Sequence, residues 1–224
     1  MSDVAVEAAR YALLRRLAPA IRHRVVGKLH PIGLIAEALE WQIQEATPNL
    51  ETVRESLSRV SSMSRVAMQA FTSEMTWLTR EEGATVAVAE GIEDCLALLH
   101  TEFELRGFSI KNEVKVPAVR VSLNAVRNVF AAALIAISDS APAPAILVLS
   151  GEVSKTHVSL SVVVHPAEAL SFFEAREPYR PIAWDDVQAL AAAESVELSR
   201  RGARVELRYR IHENIRDQSS HAVG

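Results

Sequence analysis

The apolar positions near the start of the chain recur with the period of an α-helix. At about 100° per residue, one stripe along a predicted helix over residues 6–44 collects the apolar side chains. The stripe consists of Leu14, Leu17, Ile21, Val25, Leu29, Ile32, Ile35, Ala36, Leu39 and Ile43. His23 and His30, seven residues apart, project to the opposite side. The pattern therefore predicts a helix that presents two imidazoles on its outer face.

A second helical pattern covers residues 49–80, after a short break at residues 45–48. Its apolar stripe contains Leu50, Val53, Leu57, Val60, Ala67, Phe71 and Met75. Two antiparallel helices share a single seam and cannot cover both stripes, whereas a second copy of the same hairpin can. We therefore predict that residues 1–81 form an antiparallel helical hairpin that dimerises into a four-helix bundle.

The periodicity then changes to a mixture of helices and strands over residues 82–212. Helices are predicted over 86–106, 123–138 and 184–193, and strands over 108–114, 145–149, 157–164, 196–198 and 204–210. This order predicts an α/β sandwich with one helical layer on a mixed sheet, so that the whole chain has an α+β fold. Residues 166–181 show no regular pattern, and the polar residues 213–224 predict a flexible tail.

Composition excludes several classes of function. The net charge of -4, without a long basic run, argues against nucleic acid as a partner. The single cysteine, Cys95, permits no disulfide framework, and no histidine, cysteine or acidic spacing suggests a metal site. No segment has eighteen uninterrupted apolar residues, so no membrane partner is expected and the protein is predicted to be cytoplasmic.

The residues after His23 resemble the phosphorylated helix of sensor histidine kinases. In that family, apolar residues follow the histidine at offsets of two, six, nine, twelve and sixteen, which here are Val25, Leu29, Ile32, Ile35 and Leu39. Counted from His30, the same offsets meet Gln42, a poorer match. The resemblance implies that His23 is the phospho-acceptor, with His30 as second choice. It also implies a dimerisation and phosphotransfer hairpin followed by a domain of the GHKL ATPase type.

The chain departs from that family at its catalytic positions. Arg24 and Lys28 stand where the family has an acidic residue and a proline. Residues 126–139 resemble the family's N box, yet Ala132 and Ala136 replace the asparagines that hold metal and phosphate, and alanine offers no oxygen ligand. His165 replaces the aspartate that reads adenine. The resemblance therefore implies a degenerate nucleotide site, no cofactor bound by this chain, and no ATP-dependent kinase activity.

A kinase-like chain with these losses and an exposed histidine is similar to the ChpT-like histidine phosphotransferases of bacterial phosphorelays. That resemblance implies that the phospho-aspartate of a receiver domain, with the receiver's own magnesium, supplies the phosphoryl group. His23 would carry the group as a phospho-histidine intermediate and return it to an aspartate of a second receiver. The implied partners are response regulator receiver domains, with a hybrid histidine kinase as a further candidate.

The helix face around His23 is the expected docking surface for such a partner. The residues assigned to it are Arg16, Arg22, Arg24, Val26, Gly27, Lys28, His30 and Leu34. An ordinary solvated helix surface is the other interpretation of the basic residues in this set. At the level of function, the alternative is a non-catalytic dimeric adaptor or inhibitor that docks a response regulator or a histidine kinase.

Overall fold

The structure is a computed structural model that describes residues 2–168 and 180–212. Its helices are α1 (Asp3–Ile43), α2 (Leu50–Met75), α3 (Val88–Leu105), α4 (Leu123–Ala125), α5 (Ala131–Ser140) and α6 (Trp184–Ala193), with a π-helical segment (Val126–Phe130) between α4 and α5. Its strands are β1 (Thr85–Ala87), β2 (Phe108–Asn112), β3 (Arg120–Ser122), β4 (Ala145–Val153), β5 (His157–Pro166), β6 (Glu197–Arg201) and β7 (Arg204–Arg210). Most of the irregular segment 166–181 and the predicted tail 213–224 lie outside the described residues.

The chain divides into two compact units. The first, which we call the hairpin, is Ala18–Arg80. The second, which we call the body, comprises the described residues of Met1–Leu17 and Glu81–Gly224. The helix α1 contributes to both units. Its residues up to Leu17, which we expected within the hairpin domain of residues 1–81, group with the body.

The α+β fold class predicted from the periodicity is confirmed. In the body, five strands form a mixed sheet in the order β2-β4-β5-β7-β6, with β2 parallel to β4 and the other neighbours antiparallel. The sequence pattern did not predict the short antiparallel pair of β1 and β3. Each of these strands has three residues, too few for an alternating pattern to be recognised.

Alternate residues of the central strands form the core face of the sheet. The fully buried side chains on this face are Leu147, Leu149, Val158, Leu160, Val162, Val205, Leu207 and Tyr209. The intervening residues of β7 are exposed, as is typical of a sheet with one face in the core and one in water. The helices α3, α5 and α6 supply the facing half of the core through residues such as Leu99, Leu134 and Leu190.

The helix α5 is buried on every side. Each of the residues 131–138 is at most 3% exposed, which one sheet face alone cannot achieve for a helix. The first turns of α1 supply buried residues of their own, because Ala9, Leu13 and Leu17 are at most 1% exposed. Arg16 and Arg10, from this part of α1, reach Asp139 near the end of α5 and Glu194 at the end of α6. The body therefore has a third layer, formed by the start of α1 over the other helices.

A buried ion cluster holds the start of α1 to the body. Arg16 donates hydrogen bonds from Nη1 to Asp139 Oδ2 and from Nη2 to Glu102 Oε1, both at 2.8 Å. Arg106 completes the cluster, at 2.8 Å from Asp139 and 3.2 Å from Glu102. Burial opposes the charge of Arg16, but the two carboxylates outweigh it and hold the Arg16 pKa above its ordinary value. Separately, Arg10 pairs with Glu194 at 3.1 Å.

The prediction that Arg16 belongs to a partner-docking surface is therefore wrong. The residue is 2% exposed, and its guanidinium is engaged inside the body. Helical spacing correctly places Arg16 on the same face of α1 as His23, seven residues later. Along the first turns of α1, however, that face is the one that packs on the body.

In the hairpin, α1 and α2 are antiparallel and share a very small core. The ion pair of Arg24 with Glu74 brings the hairpin's first turns beside the end of α2. Within Ala18–Arg80, all of which the structure describes, the buried apolar residues are only Ile21, Leu39, Ala67 and Trp77. Of the predicted α1 stripe, Leu29 is 52% exposed and Ile43 55% exposed. One hairpin alone thus leaves most of its apolar surface uncovered.

We expect Arg16→Met to destabilise the protein by about 3 to 5 kcal/mol, because it leaves two buried carboxylates with one cation between them. The free energy of unfolding in urea, followed by circular dichroism, measures the loss. Arg54→Ala is the matched control, since Arg54 pairs with Glu51 on the surface with 78% of its side chain exposed. The control should change stability by less than about 1 kcal/mol. Equal effects of the two substitutions would contradict a stabilising role for the cluster.

Candidate functional site

His23 lies on the exposed surface of α1, in the hairpin. Gly27, His30 and Leu34 follow it at offsets of four, seven and eleven residues and are exposed as well. These offsets place all four residues on one face of the helix. The structure therefore brings together, on an accessible surface, the two histidines and the two small or apolar residues that the sequence assigned to docking.

The backbone of α1 is open and less regular just after His23. A Cβ atom built at Gly27 would have no atom of the protein within 4 Å. Pro31 lies inside α1 and has no N–H, so the carbonyl of Gly27 lacks the donor that an α-helix normally supplies four residues later. A partner could therefore approach the helix closely at this point, one turn beyond the histidine.

Basic side chains precede and follow His23 along α1, and Arg10, Arg16 and Arg24 among them are paired with carboxylates. Between Glu7 and Glu37, α1 contains no acidic residue. Over the same stretch it carries Arg10, Arg15, Arg16, Arg22, Arg24 and Lys28. Arg22 and Lys28 are exposed, as expected for a surface that meets an acidic partner. An anionic group that approaches His23 thus meets cationic side chains from the preceding and the following turn.

Arg24, the residue directly after His23, is bound by an acid from the other helix of the hairpin. Its Nε lies 3.1 Å from Glu74 Oε1. The Glu74 side chain is only 4% exposed, whereas the Arg24 side chain is 40% exposed. Ile21 and Trp77, each one turn from a member of the pair, are buried. The pair thus combines a buried carboxylate with a guanidinium that still reaches the surface.

Apolar side chains flank the histidine face. Val26 is 54% exposed and Leu34 is 53% exposed, so both are available for contact as predicted from the sequence. Trp41, eighteen residues after His23 and therefore on the same face, is 76% exposed. Exposed large apolar side chains near a polar site are typical of protein-binding surfaces.

The residues at the predicted degenerate nucleotide site differ in their burial. Ala132 and Ala136 lie one turn apart on α5 and are 0% and 3% exposed, packed within the core of the body. His165 lies on β5, opposite Ile146 of β4, and is exposed. The structure therefore brings Ala132 and Ala136 together but surrounds them with apolar side chains.

Two residues of this site were missed by the sequence analysis. Glu74 follows Ala67 by seven residues, and both are buried on the same face of α2. Because Ala67 belongs to the predicted apolar stripe of α2, the spacing of seven residues indicates that Glu74 lies on the buried face of the helix. Trp41 also had a signal in the sequence, because it lies eighteen residues, or five helical turns, after His23 and so falls on the histidine face rather than on the apolar stripe.

Among residues 2–168 and 180–212, no three histidine, cysteine or acidic side chains are grouped so that they could hold a metal ion. In the same part of the chain, no helix has both the length and the apolar character needed to cross a membrane. Burial raises the pKa of the Cys95 thiol far above its ordinary value, which leaves the thiol unreactive.

Comparison with known proteins gave matches among solved structures only. No protein-family model and no curated protein sequence matches the chain. A histidine kinase of Acinetobacter baumannii, AdeS, matches with 11% identity over 86% of this chain and 98% of its own, at a TM-score of 0.44. The histidine kinase ThkA, in complex with the response regulator TrrA, matches with 13% identity over 93% of this chain and 64% of its own, at a TM-score of 0.43. A bacterial phosphotransferase matches with 12% identity over 93% of this chain and 97% of its own, at a TM-score of 0.39. Similarity at this level assigns neither a family nor an activity to the chain.

Gly27→Ala should stabilise the protein by about 0.5 to 1 kcal/mol, because alanine is the better helix former and its Cβ meets no other atom here. Gly91→Ala is the matched control within α3, where a new Cβ would lie 3.0 Å from Val86 Cγ1 and 3.1 Å from Val126 Cγ1. Thermal unfolding followed by circular dichroism should show a higher Tm for the first variant and a lower Tm for the second. A lower Tm for Gly27→Ala would contradict the open surface at this glycine.

Proposed function

We propose that the chain is a histidine phosphotransferase that passes a phosphoryl group between the aspartates of receiver domains through His23. The observation that carries the proposal is the exposed imidazole of His23 on a helix face that is basic and partly apolar. A neutral imidazole nitrogen is nucleophilic and can attack the phosphorus of an aspartyl phosphate. The P–N bond forms as the P–O bond breaks, and the aspartate carboxylate leaves with the electron pair. The proton on the other ring nitrogen passes to water.

The receiver supplies the remaining chemistry in this proposal. It holds the phospho-aspartate and its magnesium ion, so this chain needs only to present the nucleophile and dock the receiver. The basic residues Arg22 and Lys28 meet the acidic partner, while Val26 and Leu34 contribute apolar contacts. Gly27 removes side-chain bulk where the receiver approaches.

The body supports a function without ATP. The resemblance to the kinase N box places Ala132 and Ala136 at the positions of nucleotide ligands. Both side chains are apolar and packed in the core, where neither a metal ion nor a phosphate would find an oxygen ligand. In this proposal the body has a structural role, and the apolar side chains of α5 form part of its core.

We further propose that the functional unit is a homodimer with a four-helix bundle. Four exposed apolar residues of α2 lie within about 60° of one another at 100° per residue. These residues are Leu50, Leu57, Met68 and Phe71, between 44% and 77% exposed. A second hairpin packed on this stripe would bury it, as in other bundles of helical hairpins. His23 lies on the other side of α1 from the apolar stripe and would remain accessible.

The phosphotransfer activity is tested with a receiver domain that has been phosphorylated with radiolabelled phosphate. We expect label to move from the receiver to the wild-type chain and to be absent from His23→Ala. His30→Ala should still accept label, which assigns the acceptor to His23. His100→Ala is the matched control, because His100 is an exposed histidine on α3 with 64% of its side chain accessible.

Three results would contradict this function. Label on His23→Ala equal to that on wild type would move the acceptor elsewhere. Labelling of wild type by ATP alone would indicate a kinase. Binding of the receiver that survives His23→Ala, with no label on any variant, would indicate the non-catalytic adaptor.

The homodimer is tested by sedimentation equilibrium. We expect the wild type to have the mass of two 24.5-kDa chains and the double variant Leu57→Glu/Phe71→Glu to have the mass of one, because two carboxylates per chain would have to be buried in the bundle. Val66→Glu is the control, since Val66 is 52% exposed on the other side of α2. A monomeric wild type at micromolar concentration, or a monomeric Val66→Glu, would contradict the proposed interface.

A further inference from the structure

The ion pair between Arg24 and Glu74 is asymmetric in a way that a simple surface salt bridge is not. The carboxylate is almost completely buried, at 4% side-chain exposure, while the guanidinium is 40% exposed. An exposed pair needs no buried partner and contributes little to stability. A buried carboxylate is costly, and it is retained where its position matters to something else.

The shortest contact with Glu74 uses a single nitrogen of the guanidinium, and the Arg24 side chain stays 40% exposed. The shortest contact of the pair joins Arg24 Nε to Glu74 Oε1, and among residues 2–168 and 180–212 neither Nη1 nor Nη2 of Arg24 donates a hydrogen bond. Those two nitrogens form the planar fork that matches the oxygens of a phosphoryl group. Arg24, which directly follows His23 in the sequence, thus contacts Glu74 through Nε and has Nη1 and Nη2 available for a ligand.

We propose that Arg24 binds the phosphoryl group during its transfer to and from His23, and that Glu74 is the positioning residue that holds Arg24 for this purpose. The inference rests on the proposed phosphotransferase function. The bonds that form and break are those of the transfer itself. Arg24 gives and takes no proton, and it donates hydrogen bonds to the phosphoryl oxygens as they move from the aspartate to the imidazole.

The arrangement also gives a physical reason for the arginine at this position. An acid directly after His23 would repel the incoming phosphoryl group unless it served as a base. Here the acid is supplied by α2, turned away from solvent, and its charge is used to fix a cation. Ile21, three residues before Arg24, and Trp77, three residues after Glu74, are both buried. Pre-organisation of this kind lowers the cost of ordering a long side chain at the moment of transfer.

Single-turnover transfer from a phosphorylated receiver to the full-length chain tests this inference. The rate is measured over a range of receiver concentrations, so that the maximal rate and the half-saturating concentration are separated. We expect Arg24→Ala to lower the maximal rate by roughly tenfold to a hundredfold, with a half-saturating concentration within about twofold of wild type. Glu74→Gln should lower the maximal rate in the same direction, and Arg54→Ala should leave both parameters unchanged.

The charge swap Arg24→Glu/Glu74→Arg separates positioning from stability. It can restore an ion pair between the two helices, but it puts a carboxylate beside His23. We expect the swap to recover the Tm lost in Arg24→Ala, as measured by circular dichroism, without recovering the transfer rate. Arg24→Lys, which keeps the charge without the planar fork, should lie between wild type and Arg24→Ala in rate.

Three outcomes would overturn the inference. A swap that restores both the Tm and the transfer rate would make the pair purely structural. An effect of Arg24→Ala confined to the half-saturating concentration would make Arg24 a docking residue. A wild-type rate in Arg24→Ala would remove it from the transfer altogether. In each of these cases the wild type still transfers, so the proposed function stands, whereas a wild type that accepts no label overturns both.

Discussion

The helix α1 is shared by two compact units, and the buried charge cluster around Arg16 ties its first turns to the body. Arg16 and Arg106 face Glu102 and Asp139 with little access to water, so each charge depends on the others for compensation. The cluster is assembled from α1, α3 and the C-terminal end of α5. The same helix continues into the hairpin, where it carries His23.

The body and the hairpin solve the problem of burying apolar surface in different ways. In the body, α5 packs among the sheet, the other helices and the start of α1, so that residues 131–138 have almost no contact with water. In the hairpin, four apolar residues are buried and many more remain exposed. A body of this kind is complete as a single chain. In the proposed homodimer a second hairpin would cover this surface, and apolar surface removed from water stabilises in proportion to its area.

The surface around His23 combines three physical properties that usually occur apart. It is cationic, since α1 has no acidic residue between Glu7 and Glu37. It is open, because Gly27 has no side chain and no neighbour in that space. It is also locally rigid at one point, where the buried carboxylate of Glu74 holds Arg24. In the proposed phosphotransfer, these properties would provide attraction, close approach and a fixed hydrogen-bond donor.

The sequence by itself determined the order of the long helices and of the strands of the five-stranded sheet, the outward direction of His23 and the apolar character of α5, because helical and strand periods depend only on local spacing. It also placed Val26, Gly27, Lys28 and Leu34 on an accessible surface. Only the tertiary structure decided the role of Arg16, which shares the helix face of His23 but is buried by residues as distant as Asp139, 123 positions away. It also decided the partner of Arg24, because Glu74 belongs to another helix. Periodicity fixes which face of a helix a residue occupies, whereas the element that covers that face is set by contacts between distant parts of the chain.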